Sequence, residues 1–264
     1  MRRRNFALLA GIAALVLLLP HAASAAPAAA SAAGAAGDGG LNINLTGGGM
    51  FTERVMQIVA LITILSIAPS ILIMMTSFVR IVVVLSLLRT ALGIQQSPPN
   101  SVIVSLALFL TFFVMTPTLT AAYNAGVEPL MQGQITTEQA LERAGTPVKE
   151  FMLAHVRDAD LKLFVDMSHA KKPETPEAVS FATLAPAFML SELKRAFEIG
   201  FLIFVPFLII DMAVASVLMS MGMMMLPPVI ISLPFKLIFF VLVDGWRLVA
   251  GSLVASYMHS PPPT

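Results

Sequence analysis

The apolar residues of this chain come in long runs and do not alternate with polar ones. Residues 55–79, 101–123, 199–221 and 229–257 form four such segments with few or no charges. A helix needs about 20 apolar residues to cross a bilayer, so runs of this length predict helices and not strands. Residues 51–123 read as a first apolar helical hairpin. Pro69 interrupts its first limb and predicts a kink or a break. The continuation carries Arg80 and Arg89, and the turn at 95–100 holds Pro98-Pro99, with Ser97 and Asn100 available as caps. Pro117 lies near the end of the second limb.

Residues 184–258 read as a second apolar hairpin. Met221, Met223, Met224 and Met225 crowd round Gly222 and stop at Pro227-Pro228. Two prolines in a row end a helix, because neither offers an N–H and each disfavours helical geometry in its predecessor. The thioethers are therefore expected at the hairpin tip, where unbranched, polarizable side chains make a deformable surface. Ordinary core filling is the alternative for such residues.

Between the hairpins, residues 124–183 carry most of the acidic side chains. Thr137 to Arg143 has the look of a helix start. Val148, Phe151, Met152 and Val156 share one helical face, and Leu161, Phe164 and Val165 repeat the spacing. With a polar loop at 171–177, this reads as a small helical insertion in water, too small to stand alone as a robust domain.

Composition agrees: 57% of residues are hydrophobic, 12% are charged and the mean hydropathy is +0.86, which is the profile of a membrane protein. A net charge of +1 gives no electrostatic case for nucleic acid. Cysteine is absent, which excludes disulfides and thiolate metal sites. His155 and His169 lack metal-ligand spacing and are expected to face solvent. Gly47-Gly48-Gly49 is not placed as a phosphate loop, and no nucleophile elbow occurs. The sequence therefore points away from an enzyme, a cofactor or a metal.

At the start, Arg2, Arg3 and Arg4, an apolar run at 6–19, Pro20 and Ala23-Ser24-Ala25 make a secretory signal peptide over 1–25, cleaved after Ala25. Residues 26–50 are Ala/Gly-rich and nearly uncharged, so they predict a disordered leader; residues 259–264 are a tail. Cleavage would leave the mature N-terminus and the insertion on the periplasmic side. Arg80, Arg89 and Lys236 would then lie near cytoplasmic ends, in line with the positive-inside tendency.

Several long motifs resemble the FliP family of flagellar type III export-gate proteins and its virulence-type counterparts. They are PAFMLSELKRAFEIGF at 186–201, VPFLIIDM at 205–212, the Met turn with its two prolines, LPFKLIFFVLVDGW at 233–246 and RTALGIQQSPPN at 89–100. The resemblance implies an all-α, membrane-associated chain of which about five copies assemble into a helical pore complex, in part raised out of the bilayer. It implies sister subunits resembling FliQ and FliR, with FlhB a further candidate, and unfolded secreted proteins as cargo. It places the chain in the bacterial inner membrane at the flagellar basal body. It also implies Glu192 and Lys236 as contacts between neighbouring subunits, with the expectation that the two pair across that boundary. Phe151 and Phe164 are further candidates for the interface, with core packing as the alternative.

Charges inside apolar segments need partners, because facing lipid at mid-depth costs at least several kcal/mol. Arg80, Asp211 and Asp244 are expected to be buried and paired; Lys236 and Arg247 have stems long enough to snorkel. Two function classes remain. One is a protein-export gate sealed by the Met turn. The other is an ion or small-solute transporter with Arg80, Asp211 and Asp244 along its pathway. A structural scaffold for assembly is a third, and the stoichiometry of the extracted complex discriminates the first two.

Overall fold

In the computed structural model the described residues are 55–56, 58–59, 62–63, 66, 70, 73–94, 97–168, 175, 178–223 and 226–258. The signal peptide, the leader, the Pro69 kink, His169, most of the 171–177 loop, Met224, Met225 and the tail lie outside them. The chain divides into Met1–Leu61 and Ile62–Thr264. In the first unit, residues 55, 56, 58 and 59 are helical. All the elements that follow belong to the second.

The described residues form helices joined by turns, with no strand among them. The chain turns at 75–77, so the apolar run 55–79 is not one helix, and α1 (Phe78–Ala91) starts inside it. Residues 80, 81, 84, 85, 88 and 91 of α1 are buried, a stripe at helical spacing. Helix α2 (Asn100–Ala122) runs through Pro117 into a π-helical turn (Tyr123–Val127) and α3 (Glu128–Met131). Pro99, not Ser97, holds the N-cap position of α2. Asn100 instead accepts from Arg89 at 2.6 Å, which ties the two limbs of the first hairpin together.

The insertion holds α4 (Thr137–His155) and α5 (Asp158–Met167). Thr136 and Gln139 close a reciprocal capping box, so α4 is capped one residue earlier than its Thr-Glu start signal implies. The predicted apolar face is the buried one: Met152 and Val156 join Val179, Leu184, Ala187 and Phe188, with Val148, Phe151, Leu161 and Phe164 packed around them. The insertion thus shares its core with the start of α6.

Helix α6 (Phe181–Ser220) runs unbroken for 40 residues. After the Met turn, α7 (Pro228–Leu242) and α8 (Gly245–Met258) follow. The expected single limb 229–257 is therefore two helices, bent by 62°. Asp244 makes the break with φ 51°, a left-handed conformation that Asp tolerates better than most residues do. By length and apolarity, Asn100–Met131 and Phe181–Ser220 can each cross a membrane, and the bent α7–α8 pair can serve as a third span. The main core lies where α1 packs against α2, α6, α7 and α8, around Leu85, Leu88, Ala107, Phe207 and Leu253.

Two glycines set close helix approaches. A Cβ at Gly126 would meet the Ala140 carbonyl and stand 2.7 Å from Ala144 Cβ, locking the π-helical turn against α4. A Cβ at Gly200 would meet chiefly the Leu87 side chain on α1. Backbone cannot step aside, whereas a leucine tip can rotate. Gly126→Ala is therefore expected to destabilise by about 1–3 kcal/mol, and Gly200→Ala by less. Melting of the two detergent-extracted variants checks the order; equal losses would contradict it.

Candidate functional site

Charges buried among apolar helices need partners, and among the described residues two places supply them. The first is built on Arg80, one turn into α1 and 1% exposed. Its guanidinium grips Glu192 of α6 in a two-pronged contact: Nε donates to Oε2 at 2.8 Å and Nη2 donates to Oε1. Glu192 is fully buried. Nη1 donates to Ser256 Oγ at 3.1 Å, and the guanidinium plane lies 3.9 Å from the Tyr257 ring centroid. The Tyr257 hydroxyl donates to Glu192 Oε2. One planar cation thus joins α1, α6 and α8, using the bidentate and ring-stacking geometry that suits arginine.

The insertion reaches the same place. His155 ends α4, and its Nδ1 lies 2.7 Å from Phe151 O, so that nitrogen carries the proton. Nε2 lies 3.5 Å from the carbonyl oxygen of Tyr257. Burial pushes the imidazole below its ordinary 6.5; the Phe151 carbonyl, the Glu192 carboxylate and the Tyr257 carbonyl oppose this and Arg80 reinforces it. One residue before Glu192, Ser191 Oγ stands 2.7 Å from Asp160 Oδ2 and accepts the Arg157 N–H at 3.1 Å. Adjacent residues of α6 therefore hold the insertion on one side and α1 on the other.

The second place links α6 and α7 to the end of α1. Lys236 Nζ donates to Asp211 Oδ2 at 2.6 Å and to Ala91 O at 3.4 Å. Ser232, one helical turn before Lys236, donates to Asp211 Oδ1 at 2.5 Å. An ammonium beside the last carbonyls of α1 also faces the negative end of that helix dipole.

Within the chain, Glu192 and Lys236 each have a partner of their own. They do not face one another: each closes a pair within its own chain, with Arg80 and with Asp211 respectively. Lys236 does not snorkel either, since its side chain is 5% exposed. Arg80 is buried and paired as expected, and Asp211 is paired with 29% of its side chain exposed. Asp244 is not buried: it lies at the α7–α8 break, exposed, 4.0 Å from a still more exposed Arg247. Phe151 takes up the core-packing alternative, edge-on to Phe188 and stacked on Tyr257. Phe164 is half-buried against the insertion core. His155, expected in solvent, is buried.

Sequence reasoning passed over Tyr257, Ser256, Ser232 and Ser191. One signal was available for Tyr257: it is one of two tyrosines, set in an apolar run, and a phenol there must find a hydrogen-bond partner. At the other end of α6 the Met turn lies at a helical tip, as the double proline implied. Met221 and Met223 are exposed and Gly222 takes φ 76° between them.

A family model described as the FliP family matches residues 61–253. The chain is 64% identical over 219 residues to the flagellar biosynthetic protein FliP of Caulobacter vibrioides, an alignment covering 83% of this chain and 82% of that protein. It is 55% identical over 212 residues to the protein of that name from Cereibacter sphaeroides, covering 80% and 70%. It is also 55% identical over 201 residues to that of Bacillus subtilis, covering 76% and 91%.

Proposed function

The chain belongs to the FliP family and is a component of the flagellar export apparatus; from that premise we propose that it is a pore-forming subunit of the export gate. Several copies, about five by analogy with closed rings of this family, surround a channel for unfolded flagellar proteins in the inner membrane. Subunits resembling FliQ and FliR complete the wall, and FlhB docks beside it. The insertion and the mature N-terminus face the periplasm.

One observation carries this reading. Helix α6 has 40 residues, which is about 60 Å of helix against a hydrocarbon core of about 30 Å. Yet it leaves large apolar side chains uncovered along most of its length, from Leu190, Phe197 and Phe201 to Met212, Val217 and Met219. Lipid can cover roughly half of that helix. The other half needs protein, and copies of the chain packed side by side supply it. Native mass measurement of the detergent-extracted complex tests the reading. A ring of several copies with sister subunits is expected, and a monomer or dimer would refute it.

Within such a ring the Met turn is the seal. Met221 and Met223 already stand uncovered at the tip, and Met224 and Met225 follow them in the sequence. Thioethers have many rotamers of similar energy and no fixed hydrogen bonds to break. They close against ions when the channel is empty and mould round a passing chain. Replacing Met223, Met224 and Met225 together by Ala should leave assembly intact and raise ion conductance through the resting complex. An assembled but tight triple variant would place the seal elsewhere.

A further inference from the structure

Helices α7 and α8 meet at a corner, and the exposed side chains change character there. Those of α7 are large and apolar, among them Ile230, Phe235, Ile238, Val241 and Leu242. Past Leu248, the exposed residues of α8 are Gly251, Ser252, Ala255 and Met258, three of them small. Between the two faces stand Asp244, Trp246 and Arg247, all exposed. The corner is firmly built. A Cβ at Gly245 would stand 2.1 Å from the Phe240 ring, so a side chain there would have to displace Phe240. Trp246 packs edge-on to the same ring at 5.4 Å and still leaves 44% of its surface open.

A single bent span would put this corner near the middle of the bilayer. Helix α7 is about 22 Å long and α8 about 21 Å, each less than the roughly 30 Å of hydrocarbon. Asp244 and Arg247 would then face lipid tails with 64% and 86% of their side chains uncovered. Their contact at 4.0 Å is too loose to offset that cost. Tryptophan and arginine together suit the headgroup layer instead, where an amphipathic ring and a long-stemmed cation both find water and apolar chains. Helix α6 shows the same boundary. It runs antiparallel to α7, with Asp211 against Lys236 and Phe207 against Phe240. Toward the insertion it exposes Lys194 and Glu198; from Leu208 to Ser220 no charge is among its exposed residues.

We propose that the α7–α8 corner is a headgroup site: Arg247 takes the phosphate of an anionic phospholipid, Trp246 lies at the level of its glycerol, and the edge of the hydrocarbon passes through residues 244–247. Helix α7 then dips into the tails. Helix α8 runs outward from them to Tyr257, beside His155 of the insertion. The Arg247 guanidinium has donors to give, because among the described residues its one partner is the loosely placed Asp244. Helix α8 starts at Gly245, so the positive end of its dipole faces the same corner. The occupant is a lipid and not a free phosphate, because its tails would also cover Val241 and Leu242, which are 75% and 79% exposed.

Trp246 is the chain's one tryptophan, so its fluorescence reads the corner alone. The full chain is placed in phosphatidylcholine bilayers with lipids that carry a nitroxide quencher, either at the headgroup end of the acyl chain or near its methyl end. The shallow quencher should act more strongly. A stronger effect of the deep one would make α7–α8 a single broken span and overturn the proposal. Quenching by aqueous iodide alone would put the corner in water, and quenching by neither would put protein over it; both overturn it too. Brominated phosphatidylglycerol should associate with the corner about two- to fivefold more strongly than brominated phosphatidylcholine, the upper figure being the scale of one basic residue at an anionic surface. Arg247→Gln should abolish that preference. Asp244→Asn, which suits the left-handed backbone equally well, should raise it. Both side chains are exposed, so neither substitution disturbs packing. A native chain without the preference, or an Arg247→Gln chain that keeps it, would overturn the headgroup contact. These readings need neither a ring nor export, so the gate reading and the lipid site can fail separately.

Discussion

Glu192→Ala is expected to prevent the chain itself from folding stably, before any question of assembly arises. The substitution leaves the Arg80 guanidinium in a core where it is 1% exposed. Its remaining partners are the Ser256 hydroxyl at 3.1 Å and the face of Tyr257, neither of which carries a negative charge. An arginine side chain keeps its charge when its partner is gone. Removing one member of a buried pair costs roughly 3–5 kcal/mol, out of a total stability of about 5–15 kcal/mol for an ordinary domain. Tyr257 loses its acceptor as well and retains only the Ser77 carbonyl at 3.4 Å.

The same argument predicts a rescue. Replacing the whole cluster by apolar groups of similar size, as Arg80→Met, Glu192→Leu and Tyr257→Phe together, removes every charge and the orphaned hydroxyl at once. Such replacements are often neutral or stabilising. The triple variant should therefore melt closer to the native chain than Glu192→Ala does. The measurement is the melting temperature and cellular level of the monomeric chain, kept separate from the yield of rings. A Glu192→Ala monomer of native stability that fails only in ring formation would show that Glu192 acts between subunits, contrary to the pairing found here.

How much of this was legible follows from what kind of information each feature needs. Helices and their order come from local pattern. The Pro98-Pro99 and Pro227-Pro228 pairs stand at the starts of α2 and α7, with Pro99 and Pro227 as N-caps, because proline's effect is confined to neighbouring residues and suits the first turn of a helix. The amphipathic stripe at Val148, Phe151, Met152 and Val156 survived contact with the fold for the same reason. The α7–α8 break did not, because a run of apolar residues looks alike whether it is straight or bent. Only Asp244-Gly245 marked it, and an Asp in a left-handed turn has no periodic signature.

Charge partners are a different problem. Arg80 and Glu192 are 112 residues apart in the chain, and nothing local says which acid meets which base. The sequence shows that each needs a partner; the choice depends on helix rotation and register, which packing of the whole molecule decides. Hence the sequence marks Glu192 and Lys236 as charges that need partners, and only the packed chain shows Arg80 and Asp211 beside them. His155 was misplaced for a related reason. It belongs to a polar segment, and its burial comes from α8, some hundred positions further along the chain.

Asp211→Ala is expected to be more damaging than Lys236→Met, although both break one pair. The two partners are unequally placed. The Lys236 side chain is 5% exposed and, without Asp211, would keep only the Ala91 carbonyl at 3.4 Å. Asp211 has 29% of its side chain exposed and would keep Ser232 at 2.5 Å after loss of the lysine. Stranding the lysine should approach the roughly 3–5 kcal/mol of a broken buried pair. Stranding the aspartate should cost about 1–3 kcal/mol, the scale of an incompletely compensated polar group. Melting of the two variants checks the order, and a Lys236→Met chain as unstable as Asp211→Ala would contradict it. The double variant Asp211→Leu with Lys236→Met separates structure from pathway. If the pair only holds α6 and α7 against the end of α1, the double variant should recover stability and still export. If the charges conduct an ion or solute, it should be stable and inactive. The first outcome is expected, because Lys236 is aimed at the end of α1 and Ser232 closes the other carboxylate oxygen, an arrangement that fastens three helices and leaves the carboxylate little room for a passing ion.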